Sequence, residues 1–280
     1  MVRDFGDGFE HLLDRYRNAV EKDVEAWLYN KRKLQKDPNS GGIFEELVEI
    51  IVSRAWRRMG KLGKFKSEVK RSKWNPEFFQ SPEGRAVLRR YEIGNNVQEL
   101  LRQLEKCTIG DWIEERYERA NNHEKDRSLK QIGFGPKSRD VFLRSVGHLD
   151  IVPIDIHQRR FLVRTGIFHY YSRIPSCPLE YDDLQFSLVN FSKACLSGLI
   201  VKGFDLGENP GIVDNLIWHH CARYEGAVCG KNPRCFFQPS ECPLFWKACL
   251  WSKMNKTWKS DSFFQPIIQQ YRAHSQAEET

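Results

Sequence analysis

Apolar residues recur at three- and four-residue steps over residues 8–34, at Phe9, Leu12, Leu13, Tyr16, Val20, Val24 and Trp27, and this spacing predicts a long amphipathic helix. Asp37-Pro38-Asn39-Ser40-Gly41-Gly42 predicts a loop, and a second helix is expected over 43–59 with the run FEELVEIIV on its core face. Residues 74–84 hold two prolines and read as irregular, anchored by Phe78 and Phe79. Two further helices are expected over 85–107 and 109–121, followed by a polar loop at 122–126. Beyond residue 165 the pattern predicts an aromatic, turn-rich stretch at 168–178, a helix over 182–198, a loop at 205–210 and a helix over 212–224. Residues 275–280 are polar and read as a disordered end. No segment alternates as a strand and no repeat is present, so the expected fold is all-α.

Composition narrows the class. With 280 residues, 40% hydrophobic and 29% charged, the chain can bury a sizeable core and is not of the disordered type. Its apolar runs at 47–52 and 196–201 are too short to cross a membrane, and the segment after Met1 is charged rather than leader-like. A soluble, intracellular, monomeric protein is expected, with no membrane partner. A net charge of +7 and a pI near 8.9 favour a polyanionic partner. Residues 54–73 carry nine Lys or Arg against the single Glu68, a solvated face or a phosphate-binding surface. Of eight cysteines, Cys107, Cys177 and Cys195 are scattered, while Cys221, Cys229, Cys235, Cys242 and Cys249 fall within 29 positions. In a reducing compartment such crowding favours a metal site over a disulfide framework.

The richest chemistry lies in residues 131–165. Gly133-Phe134-Gly135 predicts a tight turn between helices, with Pro136 opening the second helix and its first amides free to meet a phosphate. Lys137 follows at once, and Asp155 stands 18 positions later between Ile154 and Ile156. Each residue alone has an ordinary reading: a lysine behind a glycine turn commonly meets phosphate or water, and Asp155 is placed to cap a helix beginning at Ile156. Together they suit amine catalysis, in which a lysine attacks a carbon centre and a carboxylate steadies the positive charge that develops. His157 reads as structural.

The sequence Gly133-Phe134-Gly135-Pro136-Lys137 followed by Pro153-Ile154-Asp155-Ile156-His157 resembles the helix-hairpin-helix and Gly/Pro…Asp motif of the endonuclease III superfamily of DNA glycosylases. Phe142-Leu143-Arg144-Ser145-Val146-Gly147 is similar to the archaeal 8-oxoguanine lyases of that superfamily. The hairpin departs from the family's usual Leu-Pro-Gly-Val-Gly in having Gln131-Ile132 before the first glycine, and Ser138-Arg139 replace small residues. The helix IFEELVEIIVSRAW resembles an early endonuclease III helix; Ser53 fits, but Ala55 stands where the family places a glutamine that fills the gap left by a flipped base.

Four thiolates in one loop suit a soft metal centre, an iron–sulfur cluster or tetrahedral zinc. Cys229, Cys235, Cys242 and Cys249, with Pro233-Arg234 before the second and Cys242-Pro243-Leu244 at the third, resemble the [4Fe–4S] loop of endonuclease III and the adenine-mismatch glycosylases. The gaps here are five, six and six residues, with Phe236 to Glu241 enlarging the middle one, and Cys221 is an alternative ligand. The cluster would be structural, in a loop whose Lys231 and Arg234 could touch the DNA backbone.

The resemblance implies two helical domains, a six-helix domain over residues 41–164 and a second built from 1–40 plus 165–280, with the catalytic cleft where they meet. It implies a bifunctional glycosylase and abasic-site lyase of base-excision repair acting on double-stranded DNA, with Lys137 as Schiff-base nucleophile, Asp155 as its carboxylate partner and an oxidised base as substrate. Gly133, Phe134, Gly135 and Pro136 would hold the backbone. A non-catalytic hairpin protein, a zinc-stabilised nucleic-acid-binding factor and a monofunctional glycosylase are the alternative readings.

Overall fold

The structure is a computed structural model that describes residues 2–55, 59–69, 74–122, 124, 126–171, 180–222, 228–230 and 233–253. Among the described residues it is 71% helix and 2% strand, consistent with the all-α class that the patterning predicts. The basic stretch 54–73 lies partly outside the described residues, as do Cys177, Lys231 and the terminal segment 275–280.

The chain forms two compact units, one of residues 25–148 and one of residues 1–24 with 149–280. The divisions fall at 24/25 and 148/149, where the resemblance implies 40/41 and 164/165. The first helix explains the displacement, because α1 (Val2–Lys36) runs unbroken through residue 24 and its last turns pack with the middle of the chain. Asn30 donates to Glu46 Oε2 at 2.9 Å and to the Ser145 carbonyl at 3.0 Å, and the Arg144 guanidinium lies 4.8 Å from the Trp27 ring centre.

In the unit of residues 25–148, α2 (Gly41–Ala55) and α3 (Met59–Glu68) lead to a region in which the sequence reading has to be corrected. Residues 74–84 are not irregular but hold two short helices, α4 (Pro76–Gln80) and the start of α5 (Pro82–Arg90). Asn75 and Ser81 cap them through the amides of Phe78 and Gly84, and each begins with proline. Phe79 is buried among Phe44, Phe65 and Trp74, so aromatic packing fixes what the prolines only permit.

The helix expected over 85–107 is also interrupted. Glu92 adopts φ +59° and ends α5, and α6 (Gly94–Leu104) starts afresh. Glu92 N donates to the Arg89 carbonyl and Ile93 N to the Leu88 carbonyl, a left-handed helix stop made without glycine. α7 (Ile109–Asn121) spans the residues expected, opened by a reciprocal Thr108–Asp111 capping box. α8 (Arg127–Gln131) and α9 (Pro136–Ser145) complete this unit.

In the other unit the amphipathic stripe of α1 supplies Phe5 and Phe9, which meet Phe191 and Phe161 edge-on or tilted at 5.1–5.9 Å. Around this core lie α10 (Ile156–Thr165), α11 (Ile167–Tyr171), α12 (Tyr181–Cys195), α13 (Pro210–Cys221) and α14 (Leu250–Lys253). Residues 200–205, expected to be without strand, form a two-residue antiparallel hairpin pairing Ile200 with Asp205 and Val201 with Phe204. Two residues per strand are too few for alternation to register in the sequence.

Glu46 on α2 yields the first prediction. Burial raises its pKa from the ordinary 4.5, opposed by a hydrogen bond with Ser145 and helped by the neighbouring Glu49 and Glu45 charges. A raised folded pKa means that Glu46 is accommodated best below pH 4.5 and costs stability as pH rises through the folded value. Glu46→Gln keeps an acceptor for Asn30 and removes the charge, so it should raise the melting temperature at pH 7 and have little effect at pH 4. A gain of equal size at both pH values in thermal unfolding would refute this account.

Candidate functional site

The hairpin is built by the helices around it. Phe134 N donates to the Leu129 carbonyl at 2.8 Å and Gly133 N to the Lys130 carbonyl at 3.0 Å, the paired bonds of a Schellman stop on α8, with Gly133 at φ +80°. The backbone angle favours glycine, and a Cβ on Gly133 would stand 2.7 Å from Asn96 Nδ2, so the Asn96 side chain would have to turn away. Gly133→Ala should cost about 1–2 kcal/mol or more, read as a lowered denaturation midpoint; an unchanged midpoint would show that Asn96 and the turn adapt freely. Phe134 and Ile132 are buried and anchor the turn, so Phe134 is a packing residue whose backbone alone is available to a partner.

Gly135 caps α9 in an extended conformation, its carbonyl accepting from Ser138 N and Arg139 N at 3.1 Å each. Pro136 occupies the first turn and Lys137, the next residue, is exposed. Ser138 is buried, and Arg139 pairs at 2.6 Å with Asp140, whose side chain is fully buried. An ion pair therefore stands in the same turn region as the lysine.

A polar network below the hairpin fixes α8. Asp126 caps it through the amides of Ser128 and Leu129, and Arg116, 5% exposed, donates to Ser128 Oγ at 2.8 Å and lies 3.5 Å from Asp126 Oδ2. The same guanidinium stacks 4.6 Å from the Trp112 ring centre, and Trp112 Nε1 donates to Gln103 at 3.1 Å. Arg116 and Gln103 were not singled out by sequence, because they act through contacts between helices distant in the chain.

Asp155 belongs to the other unit, at the end of a stretch, 149–154, buried except at Asp150 and held by neighbours on two helices. Gln185 Nε2 donates to the Val152 carbonyl at 2.6 Å, Ile154 N to Tyr181 Oη at 3.2 Å, and Gly211 N to the Leu149 carbonyl at 2.8 Å. Asp155 caps α10: its Oδ1 accepts from His157 N at 2.6 Å and Gln158 N at 3.2 Å, while Gln158 Oε1 accepts from Asp155 N at 3.2 Å. The side chain is half-buried, and its orientation is set by this reciprocal capping box. The Asp-x-x-Gln spacing is visible in the sequence.

α10 joins Asp155 to the cysteine loop. At its far end Arg164 Nη1 donates to the Gly230 carbonyl at 2.7 Å and the Cys229 carbonyl at 3.2 Å, and lies 3.6 Å from Cys229 Sγ. Cys249 Sγ lies 3.5 Å from the Arg164 carbonyl. A helix of ten residues spans about 15 Å, so the carboxylate and the cysteine loop are the two ends of one rigid rod.

Cys221, Cys229, Cys235, Cys242 and Cys249 are all buried and carry free thiols. Cys221, pushed well up by burial, donates to Cys229, whose pKa falls to about 6 through that hydrogen bond and the nearby Arg164 charge. Cys242 is raised by its hydrogen bond with Cys235, by burial and by the charges of Cys229, Cys235 and Cys249. Among the described residues no three His, Cys, Asp or Glu side chains converge as metal ligands do; the thiols meet in pairs. Five buried thiols in no disulfide, with the Arg164 and Arg160 charges beside Cys221 and Cys229, are donors of the soft type. Cys107 and Cys195 take no part: Cys107 Sγ lies 3.7 Å from the Gln103 carbonyl, and Cys195 Sγ lies 2.9 Å from Tyr171 Oη.

No family model, curated protein or solved structure matches this chain. The functional reading therefore rests on the residues and their geometry. In the FLRSVG run Phe142, Leu143 and Val146 are buried and Gly147 is a φ +97° helix stop, so the run serves packing and chain reversal.

Proposed function

We propose that the protein is a bifunctional DNA glycosylase and abasic-site lyase, with Lys137 as nucleophile and Asp155 as the carboxylate that assists it. The observation that carries the reading is the local construction at Lys137: an exposed lysine one residue into a helix opened by a Schellman-stopped glycine hairpin. This is the arrangement in which backbone amides can take a phosphate while the adjacent amine reaches the sugar.

The neutral Lys137 amine attacks C1′ of a nucleotide turned out of the helix, and the bond from C1′ to the base breaks with the electron pair leaving on the base. The base takes up a proton, the sugar ring opens, and loss of the amine proton leaves an imine between Nζ and C1′. The imine acidifies C2′; removal of that proton expels the 3′ phosphate and cuts the strand. The Asp155 carboxylate steadies positive charge at C1′ and accepts protons.

Cys229, Cys235, Cys242 and Cys249 would hold a structural [4Fe–4S] cluster, with zinc as the competing occupant and Cys221 as the reserve thiol. Bound there, the group would lock the loop to Arg164 and so to the far end of α10.

The test is covalent. Duplex DNA carrying an abasic site is incubated with the protein and borohydride, which reduces an imine to a stable adduct. A trapped complex is expected; its absence would overturn the lyase reading.

A further inference from the structure

The residues that enlarge the middle cysteine gap form a stapled loop with an aromatic tip. Across the neck between Cys235 and Cys242, Arg234 clamps Glu241 Oε2 through Nε at 2.9 Å and Nη2 at 2.6 Å. Inside that neck the backbone closes on itself: Phe237 N and Gln238 N donate to the Arg234 carbonyl at 2.9 Å, and Glu241 N donates to the Gln238 carbonyl at 3.0 Å. The Glu241 carbonyl accepts from Arg15 on α1, tying the loop to its unit. From this braced turn Phe237 projects with 88% of its surface exposed, more than any other large apolar side chain among the described residues. Trp246, 71% exposed and resting edge-on against buried Phe245 at 4.7 Å between ring centres, follows Cys242 in the same loop.

An exposed phenylalanine on a mobile tail would need no explanation; on a doubly clamped turn it needs a partner, because the clamps hold the ring in water at a fixed place. Charge selects among partners. Residues 229–253 carry Lys231, Arg234, Lys247 and Lys253 against Glu241, so three of the chain's seven net positive charges fall in 25 positions. Arg234 is paired with Glu241 and Lys247 lies 3.8 Å from Asp7, yet the stretch keeps a net positive charge, and a flat exposed aromatic face on it matches the exposed π-face of a nucleobase beside phosphates.

We propose that Phe237 is a stacking wedge: it inserts at a break in base stacking and covers the base exposed where a nucleotide has left the duplex. This rests on the DNA-repair reading above but assigns a different residue, in a loop that takes no part in the lysine chemistry.

The test is binding to a duplex with one tetrahydrofuran abasic analogue, which cannot react with an amine, compared with the intact duplex. Wild type should prefer the abasic duplex, and Phe237→Ala should weaken that binding about 5- to 100-fold while changing intact-duplex affinity by less than about twofold. Phe237→Trp should retain the preference. The ring is exposed, so the alanine variant should melt within about 1 °C of wild type, which separates lost stacking from lost folding. Equal affinity of wild type and Phe237→Ala for the abasic duplex would overturn the proposal, as would a wild type with no preference. Loss of binding to phosphatidylserine vesicles by Phe237→Ala, with DNA binding intact, would assign the ring to a lipid surface instead. A concentration-dependent dimer that the variant abolishes would assign it to self-association. If borohydride traps nothing but Phe237→Ala still loses the abasic preference, the lyase reading falls and the wedge stands.

Discussion

Lys137→Ala is expected to abolish the borohydride adduct with abasic DNA, a loss of at least about 1000-fold, because no other group would supply the attacking amine. The side chain is exposed, so removing it should not disturb the buried Arg139–Asp140 pair or the hairpin, and thermal stability should hold. Asp155→Asn is the informative companion. Asparagine caps helices about as well as aspartate, so the bond to His157 N and the start of α10 should survive while the charge is lost. Cleavage should then fall about 100- to 10,000-fold with little change in melting temperature. Asp155→Ala, by contrast, should lose both the reaction and about 1 kcal/mol of stability. If Lys137→Ala traps as efficiently as wild type, the nucleophile lies elsewhere. If Asp155→Asn cleaves normally, Asp155 is a helix cap and nothing more. A variant that binds DNA unchanged but never reacted even as wild type would leave the hairpin as a backbone clamp.

Cys242→Ser should strip the purified protein of bound metal and of broad absorbance near roughly 400 nm, the mark of an iron–sulfur cluster. Metal analysis should give iron and sulfide in wild type; zinc without colour would replace the cluster with a tetrahedral zinc site. Because metal affinity at thiolate sites contributes directly to folding, the variant should lose more than about 3 kcal/mol. That corresponds to a fall of about 10 °C in melting temperature. The loss should spread along α10, since Arg164 holds the Cys229 and Gly230 carbonyls while Asp155 caps the other end. Cys107→Ser and Cys195→Ser should keep full metal content, as both thiols are engaged away from the loop. Cys221→Ser decides whether the fifth thiol is a ligand: retained metal makes it a donor to Cys229 only. Colourless, metal-free wild type of unchanged stability would remove the metal site altogether.

The two residues with the clearest chemistry were legible for different reasons. Gly133 announced the hairpin because a turn at φ +80° strongly favours glycine, and that preference is written in one letter. Asp155 could be recognised as a cap from its place before Ile156, with Gln158 completing the box. Arg164, by contrast, is one of many arginines until α10 places its guanidinium at the Cys229 carbonyl, 65 positions along the chain. Phe237 looked like an ordinary apolar residue in a widened gap, and only its exposure shows that it is not core.

The all-α class, the amphipathic stripe of α1 and the span of α7 were determined by the sequence alone, because helical periodicity and end caps act over a few residues and need no distant partner. Only the tertiary structure decided where α5 stops at Glu92, that α4 forms around buried Phe79, that the units divide within α1, and which thiols meet. The Glu92 stop is a local turn at a residue type that rarely adopts it, and the others depend on packing or side-chain contacts that exist only once the elements are assembled.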